Sequence, residues 1–299
     1  MAPVSHLPVS ADPLVRELQT ALGAEPLDLA RAALVIAKLE YGHYDAGPSM
    51  AVLDRLGQAA FTRLRRVSGG SVRARIAALN GLLFEEEGFS GNHAHYDDFR
   101  NSLLNVVLER RLGIPITLAL VYMEVARRGG DRVHGVAFPG HFLMRVPARI
   151  GSRDEDDVII DPFDGGAELD EADCRRLLAR HLGPATDDAP FDPALLRPCT
   201  PRQMLARILN NLKRTYVEMR SLPQARRVTN LLLTVDPTLV SEIRDRGLLS
   251  YHLNEFPPAL RDLEDYLRLN TWKGDEDQEE RDQILDHVKT LKRRVASMN

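Results

Sequence analysis

Apolar residues recur every three to four positions along most of this chain, a spacing that predicts helices. Residues 12 to 87 fit four such helices, each with its apolar residues on one face. A loop with Gly69 and Gly70 separates the third helix from the fourth. We expect these helices to cover a sheet on one side. Their apolar positions are Leu14, Leu18 and Leu22, then Ala33, Ile36 and Ala37, then Leu53, Leu56, Ala60 and Leu64, and finally Val72, Ile76, Leu79 and Leu83.

Two more helices are predicted in the middle of the chain. Asn101 is expected to cap the first, because an asparagine side chain can accept a hydrogen bond from a free backbone N–H at a helix start. Gly113 suits a left-handed stop. The second helix begins at Pro115, where the missing N–H of proline costs nothing, and ends at Gly129 and Gly130.

The pattern changes from helix to strand after residue 130. The segment HGVAFPGHFLMRV predicts a strand, a turn at Pro139 and Gly140, and a second strand that starts at His141. The apolar run DVIIDPFDGG predicts a buried strand that ends at Asp161 and is closed by a turn. Helices that lead into antiparallel strands indicate an α+β domain.

His141 and Asp161 are the candidate catalytic residues of this domain. A histidine that opens one strand and an aspartate that closes the next is a layout in which a thiol-protease-like site can be built. The residues alone support a structural role equally well. Asp161 precedes a proline, where aspartate favours turns, and His141 follows a Pro-Gly turn, where its ring can bind the backbone.

Four phrases make the chain similar to the bacterial SirB-type branch of the transglutaminase-like superfamily, which carries C-terminal tetratricopeptide repeats. They are FSGNHAHYDDFRNSLLNVVLERRLGIPITL, FPGHF, IIDPFDGG and EIRDRGLL, and together they span nearly the whole chain. The resemblance implies a transglutaminase-like, papain-like domain of helices packed on a small antiparallel sheet, followed by an all-α repeat module. In catalytic members a cysteine at the start of the central helix is served by a histidine and an aspartate, which His141 and Asp161 match.

The resemblance also implies where a nucleophile should stand. That position falls at or near Pro115, which has no nucleophilic atom. Thr117 is the nearest hydroxyl, and it would be a nucleophile only with a base within hydrogen-bond reach. Tyr96 and Asn101 recur in the family ahead of the helix, and with Pro115 they are the predicted pocket residues. The chain is therefore expected to lack thiol-type acyl transfer.

The segment GNHAHYDDF has nearly the His-x-His-x-Asp-His spacing of a metal site. The last histidine is absent, and no further set of ligands follows His93 and His95, so the alternative of a metal-dependent hydrolase rests on these two residues alone. We expect no metal and no cofactor.

The positions of the two cysteines argue against either as a substitute for the missing nucleophile. Cys174 is predicted to be a small core residue on a helix capped by Asp170, where it shares a face with Leu177 and Leu178. Cys199 stands among prolines, and nothing in the sequence connects it with His141. Two cysteines also make no disulfide framework, which indicates a reducing compartment.

The composition shifts between residues 183 and 201, which hold five prolines and the pair Asp187-Asp188. We predict a transglutaminase-like domain over 1–182, a Pro-rich linker over 183–201 and helical repeats with a C-terminal capping helix over 202–299. An internal repeat of 34 residues supports the last module, since Leu222, Pro223, Ala225, Leu233 and Val235 correspond to Phe256, Pro257, Ala259, Leu267 and Leu269.

Charge and composition exclude several function classes. The net charge of −4 argues against a nucleic-acid surface, and the short apolar runs argue against a membrane span. These exclusions favour a cytoplasmic protein, and the resemblance implies a bacterial protein whose repeat groove binds a protein or peptide and whose role is regulation or interaction. The alternative is an acyl-transfer or peptide-hydrolysis enzyme that uses His141 and Asp161. A nucleophile close to His141 Nε2 would favour that enzyme.

Overall fold

The computed structural model describes residues 12–67, 69–148, 156–183, 191–272 and 274–298. These residues form two compact units. One contains residues 24–208, and the other contains residues 12–23 together with residues 209–298. The first helix of the chain therefore belongs with the C-terminal helices, and not with the helices that follow it in sequence.

Helices make up most of the unit of residues 24–208. Side chains at the N-caps start several of them: Asp28, Ser71 and Asp170 each accept a hydrogen bond from a backbone N–H of the first turn. A π-helical segment, Gly81–Glu86, continues the fifth helix of the chain. The helices are α2 (Leu29–Ile36), α3 (Lys38–Tyr41), α4 (Gly47–Arg66), α5 (Val72–Asn80), α6 (Leu104–Arg110), α7 (Pro115–Arg128), α8 (Glu171–Leu182) and the first part of α9 (Pro201–Glu218).

Two sheets complete this unit. A short parallel pair joins β1 (Ser90–Gly91) to β2 (Leu112–Gly113). The main sheet is antiparallel in the order β3-β4-β5-β6, as the strand pattern predicted. Its strands are β3 (His134–Val136), β4 (Leu143–Val146), β5 (Val158–Asp161) and β6 (Ala167–Leu169). Helix α7 is almost wholly buried and packs against β3 and β4 and against the 3-10 turn Pro162–Asp164.

Three local predictions around this sheet were wrong. Asn101 does not cap α6, because it lies within the 3-10 turn Phe99–Ser102 and Leu103 is at the N-cap. The left-handed stop is Arg111, with φ of 60°, because Gly113 is drawn into β2 by its pairing with Gly91. His141 precedes β4 by two residues and does not open it.

A buried ion pair ties the helices to the sheet connections. The guanidinium of Arg75, on α5, donates to Asp131 at 2.7 Å and also to the carbonyl oxygen of Pro147. Both charged side chains are almost fully buried, so each depends on the other to offset its lost hydration. The pair thereby fixes the residues that follow α7 and β4 to α5.

The unit of residues 12–23 and 209–298 is all helical. Its members are α1 (Pro13–Leu22), the second part of α9, α10 (Leu222–Val235), α11 (Val240–His252), α12 (Phe256–Leu269) and α13 (Asp275–Ala296). Helices α10 and α12 occupy the two copies of the predicted repeat. Each helix from α10 to α13 packs against the next, and α1 packs against α10. Gly247 lets α11 approach α12 closely, since a Cβ there would lie 2.8 Å from Leu263.

The predicted boundaries at residues 182 and 201 stay predictions. Residues 184–190, which include Pro184, Pro190 and the Asp187-Asp188 pair, lie outside the described residues. The rest of the predicted linker is packed: the Cys199 N–H donates to the Gly135 carbonyl at 2.8 Å, along the edge of β3. Leu195 and Leu196 contact an apolar cluster that includes Cys174.

Within the described part of the chain, none of the helices combines the length and the apolar character needed to cross a bilayer.

Candidate functional site

His141 and Asp161 meet where β4 begins and β5 ends. Because the two strands are antiparallel neighbours, with Met144 opposite Ile160, the residue two positions before β4 comes close to the last residue of β5. The imidazole Nε2 of His141 lies 2.8 Å from Oδ2 of Asp161. The other carboxylate oxygen accepts the N–H of Phe163 at 2.8 Å. Asp161 therefore has both oxygens occupied and holds the histidine ring in a defined orientation.

This orientation bears on where a nucleophile would have to stand. Nε2 of His141 faces the carboxylate, so the ring nitrogen left for any other partner is Nδ1. Backbone geometry supports the arrangement, because Gly140 has φ of 68°, a conformation that favours glycine, and the backbone N–H of His141 donates to the carbonyl of Phe138. A Cβ at Gly140 would also lie 2.3 Å from the imidazole of His181. Both the backbone conformation and the close packing therefore require glycine at this position.

A cavity of about 460 Å³ opens beside the His141–Asp161 pair. Four segments of the chain line it. The loop after β1 contributes His93 and Tyr96, and the last turns of α8 contribute Leu177, Arg180 and His181. The remaining lining residues are Gly140, His141, Asp161, Phe163 and Asp164.

Phe163 lines this cavity and contacts three of the other aromatic rings of the lining. Its ring centroid lies 4.2 Å from that of His93, 5.7 Å from that of Tyr96 and 6.3 Å from that of His141. The ring also lies against the backbone of β1, because a Cβ on Gly91 would be 2.6 Å from it. Gly91 is thus required by the packing of Phe163 and not by its own backbone conformation.

A buried asparagine pair holds the loop that carries His93 and Tyr96. The side-chain amide of Asn101 donates to the carbonyl oxygens of His95 and Tyr96, at 2.7 and 3.2 Å. Its side-chain oxygen accepts from the amide of Asn92 at 3.0 Å. Asn101 is only 1% exposed, so it does not line the cavity itself. Of the three predicted pocket residues, Tyr96 lines the cavity, whereas Asn101 and Pro115 do not.

Comparison with known proteins identifies the family. A model of the transglutaminase-like superfamily matches residues 50–210, and a tetratricopeptide-repeat model matches residues 212–291. The chain belongs to the transglutaminase-like superfamily. A UPF0162 protein of Xylella fastidiosa is 42% identical over 262 residues, which cover 86% of this chain and 89% of that protein. The predicted resemblance to the SirB type with C-terminal repeats is confirmed.

Other relatives are less similar and match a smaller share of this chain. Protein SirB1 of Salmonella typhimurium is 28% identical over 189 residues, which are 63% of this chain and 67% of that protein. The human F-box only protein 21 is 31% identical over 189 residues, 61% of this chain and 28% of its own length. No solved structure gives a significant match.

The position at which the resemblance predicts a nucleophile lies at the start of α7. Pro115 is the first residue of α7 and is buried. The hydroxyl of Thr117 is fully buried, donates to the carbonyl of Asn101 at 2.7 Å and accepts the N–H of Ile114 at 3.1 Å. It thereby caps α7 and joins it to the preceding turn. Neither residue is among those that line the His141 cavity.

Both cysteines are free and lie apart from this cavity. Cys174 is 1% exposed and belongs to an apolar cluster with Phe138 and Leu143, which confirms the prediction of a core residue. Burial, with the nearby charges of Asp173, Asp170 and Glu171, raises the pKa of its thiol to about 11. Burial also raises the pKa of Cys199. A raised pKa leaves little thiolate at neutral pH, so neither sulfur has the properties of an activated nucleophile.

The two histidines of the incomplete metal-binding spacing are separated by the fold. His93 lines the cavity, whereas His95 does not. Among the described residues, no group of three or more His, Cys, Asp or Glu side chains is arranged to hold a metal ion.

Several lining residues were missed by the sequence reasoning, and Phe163, Arg180 and His181 are among them. Phe163 lies inside the matched phrase IIDPFDGG, only two positions after Asp161. This closeness to a candidate catalytic residue was a signal that could have indicated its place in the site. Arg180 and His181 gave no such signal. They reach the cavity only because α8 ends beside Gly140.

Proposed function

We propose that this protein is a non-catalytic regulatory or protein-interaction protein, built on a transglutaminase-like domain without its nucleophile and on tetratricopeptide repeats. One observation carries the proposal. The described residues that line the cavity beside His141 and Asp161 include no cysteine, serine or threonine. A histidine–aspartate pair orients a base, but an acyl-enzyme needs a nucleophile that the base can deprotonate.

The environments of Thr117 and Cys174, the two candidate nucleophiles considered from the sequence, support this proposal. Thr117 uses its hydroxyl in backbone hydrogen bonds at the start of α7. With a pKa of about 11, Cys174 is thiolate in only about one molecule in ten thousand at pH 7. Each would have to give up its present environment before it reacted at His141.

The second candidate is an acyl-transfer or peptide-hydrolysis enzyme. The observation in its favour is the hydrogen bond of 2.8 Å between His141 and Asp161, which is a competent base arrangement. That candidate needs a nucleophile or an activated water at Nδ1 of His141.

The partner in this proposal is a protein or peptide that binds the repeat groove. Support comes from the tetratricopeptide match and from the sequential packing of α10 to α13, an arrangement that in repeat proteins makes an extended binding surface. A cytoplasmic location is also part of the proposal, because both cysteines are free, as in a reducing compartment.

An electrophilic thioester or vinyl sulfone probe tests the proposal. Purified full-length protein, His141→Ala and Asp161→Asn are each incubated with the probe, and mass spectrometry locates any label. We expect no label that depends on His141. Labelling at Thr117, Cys174 or Cys199 that disappears in both variants would refute the non-catalytic function and establish the enzyme. Cys174→Ser is the matched control for unspecific reaction of the thiol.

A further inference from the structure

Arg180 is the one charged side chain of α8 lining the His141 cavity, and the described residues give it no ion pair or hydrogen-bond partner. Its neighbours on the same helix differ in this respect. Arg175 pairs with Glu171 at 2.8 Å, and Arg176 pairs with Asp173. A guanidinium carries five N–H donors in a fixed fork that matches a carboxylate. Within the described part of the chain, the guanidinium donors of Arg180 are therefore left for a ligand of this cavity.

The other polar groups of the cavity leave few acceptors for it. Both oxygens of Asp161 are occupied, by His141 and by the N–H of Phe163. Asp164 is the remaining carboxylate of the lining, and it is exposed, so water screens its charge. The rings of His93 and His181 add further nitrogen atoms. A neutral imidazole offers one donor and one acceptor, so these rings do not decide the charge of the ligand. Arg180 supplies the fixed positive charge among the described lining residues, and this charge favours a carboxylate on the ligand.

An apolar surface lies next to Arg180 in the same cavity. Phe163 and Leu177 are half-buried there, and His93 and Tyr96 extend the aromatic face. The volume of about 460 Å³ lies within the range of small-ligand pockets, roughly 300–1,000 Å³. The exposed rim leaves room for a chain that passes across the opening and places side chains inside it.

We propose that this cavity docks an internal segment of a partner polypeptide that presents an acidic residue next to an aromatic or aliphatic one. Arg180 binds the carboxylate, and Phe163 with Leu177 contacts the apolar side chain. The proposal rests on the proposed non-catalytic function, because the occupant is held as a partner and is not transformed. It assigns to the His141–Asp161 pair the task of holding one wall of the pocket.

Fluorescence anisotropy with full-length protein tests the proposal. The probe is a fluorescein-labelled hexapeptide amide with a central Glu-Phe pair, compared with Gln-Phe and Lys-Phe versions. The blocked C-terminus removes the terminal carboxylate, and a Gln-Phe peptide with a free C-terminus measures that group separately. We expect the Glu-Phe peptide amide to bind at least about ten-fold more tightly than the Gln-Phe or the Lys-Phe peptide amide.

Variants connect this preference to Arg180. Arg180→Ala should abolish the difference between the Glu and Gln peptides, whereas Arg176→Ala, on the same helix and outside the cavity, should leave it unchanged. Asp164→Asn should strengthen binding of the Glu peptide about two-fold, because a repelling charge is removed. Both arginines are exposed, so neither variant is expected to affect folding.

Several results would overturn the proposal: equal binding of the Glu and Gln peptides, a preference for Lys, tighter binding of the free C-terminus, an Arg180→Ala variant that keeps the preference, or no binding at millimolar protein. These results differ from a failure of the proposed function. If the peptide preference is absent and no probe labels the chain, only the docking proposal fails. Labelling dependent on His141 refutes the non-catalytic function itself.

Discussion

Replacing Asn101 with alanine should release the loop that carries His93 and Tyr96. The variant removes the donor to the carbonyls of His95 and Tyr96 and the acceptor for Asn92. Each buried polar group left without a partner costs about 1–3 kcal/mol. The Asn92 side chain is 5% exposed and should bear this cost in full, whereas the two carbonyls belong to exposed residues and regain some hydration. We therefore expect a loss of about 2–4 kcal/mol in the unfolding free energy of this region.

A matched control lies four residues away. The side-chain oxygen of Asn105 is buried and has no hydrogen-bond partner among the described residues. Asn105→Ala removes an unsatisfied acceptor together with a few packing contacts, so the net change should stay within about 1 kcal/mol. The comparison separates the hydrogen bonds of Asn101 from the general effect of shortening an asparagine.

Native-state hydrogen exchange, resolved by mass spectrometry on peptides from residues 88–118, is the suitable assay. Tryptophan fluorescence is not, because Trp272, the single tryptophan, belongs to the unit of residues 209–298. A loss of 2 kcal/mol corresponds to exchange about 30-fold faster in the Asn101 variant. Equal protection in the Asn101 and Asn105 variants would show that the buried amide does not hold the loop.

Three further outcomes are expected. Gly91→Ala should cost about 1–3 kcal/mol and displace Phe163, because the new methyl group would lie 2.6 Å from its ring; thermal unfolding and the peptide assay together measure this, and an unchanged melting temperature would contradict it. The free energy of unfolding of the Glu87→Gln variant should be about 0.5–1 kcal/mol lower than that of wild type at pH 7. This difference should disappear as the pH falls well below 4.5. The reason is that the hydrogen bond from Arg55 outweighs desolvation and lowers the pKa of Glu87, so its stabilisation is present above the unfolded-state pKa and is lost as the pH falls through the lowered one; a difference that grows in acid would contradict the sign. Residues 202–299 expressed alone lack α1, which packs on α10, and should give no cooperative monomeric transition by circular dichroism.

The helices, the antiparallel strands and the repeat followed from the sequence because their signals are local. Apolar spacing along α7, from Leu118 to Val125, reports a helix face whichever neighbour covers it. The layout of two successive strands also predicted that His141 and Asp161 lie close together, although His141 lies two residues before β4 and not on it. The repeat of 34 residues is visible in the sequence because each copy must bury the same face against its neighbours, so the same residue types recur.

The tertiary structure decided which distant residues complete these elements. Asn101 could satisfy its amide at a helix start or in a folded loop, and only packing selected the carbonyls of His95 and Tyr96. Arg180 lies 39 residues after His141, and no local period relates the two, yet both line one cavity. Such contacts depend on where whole helices and strands pack, and the free energy that places them is spread over many apolar side chains, so no short motif records it.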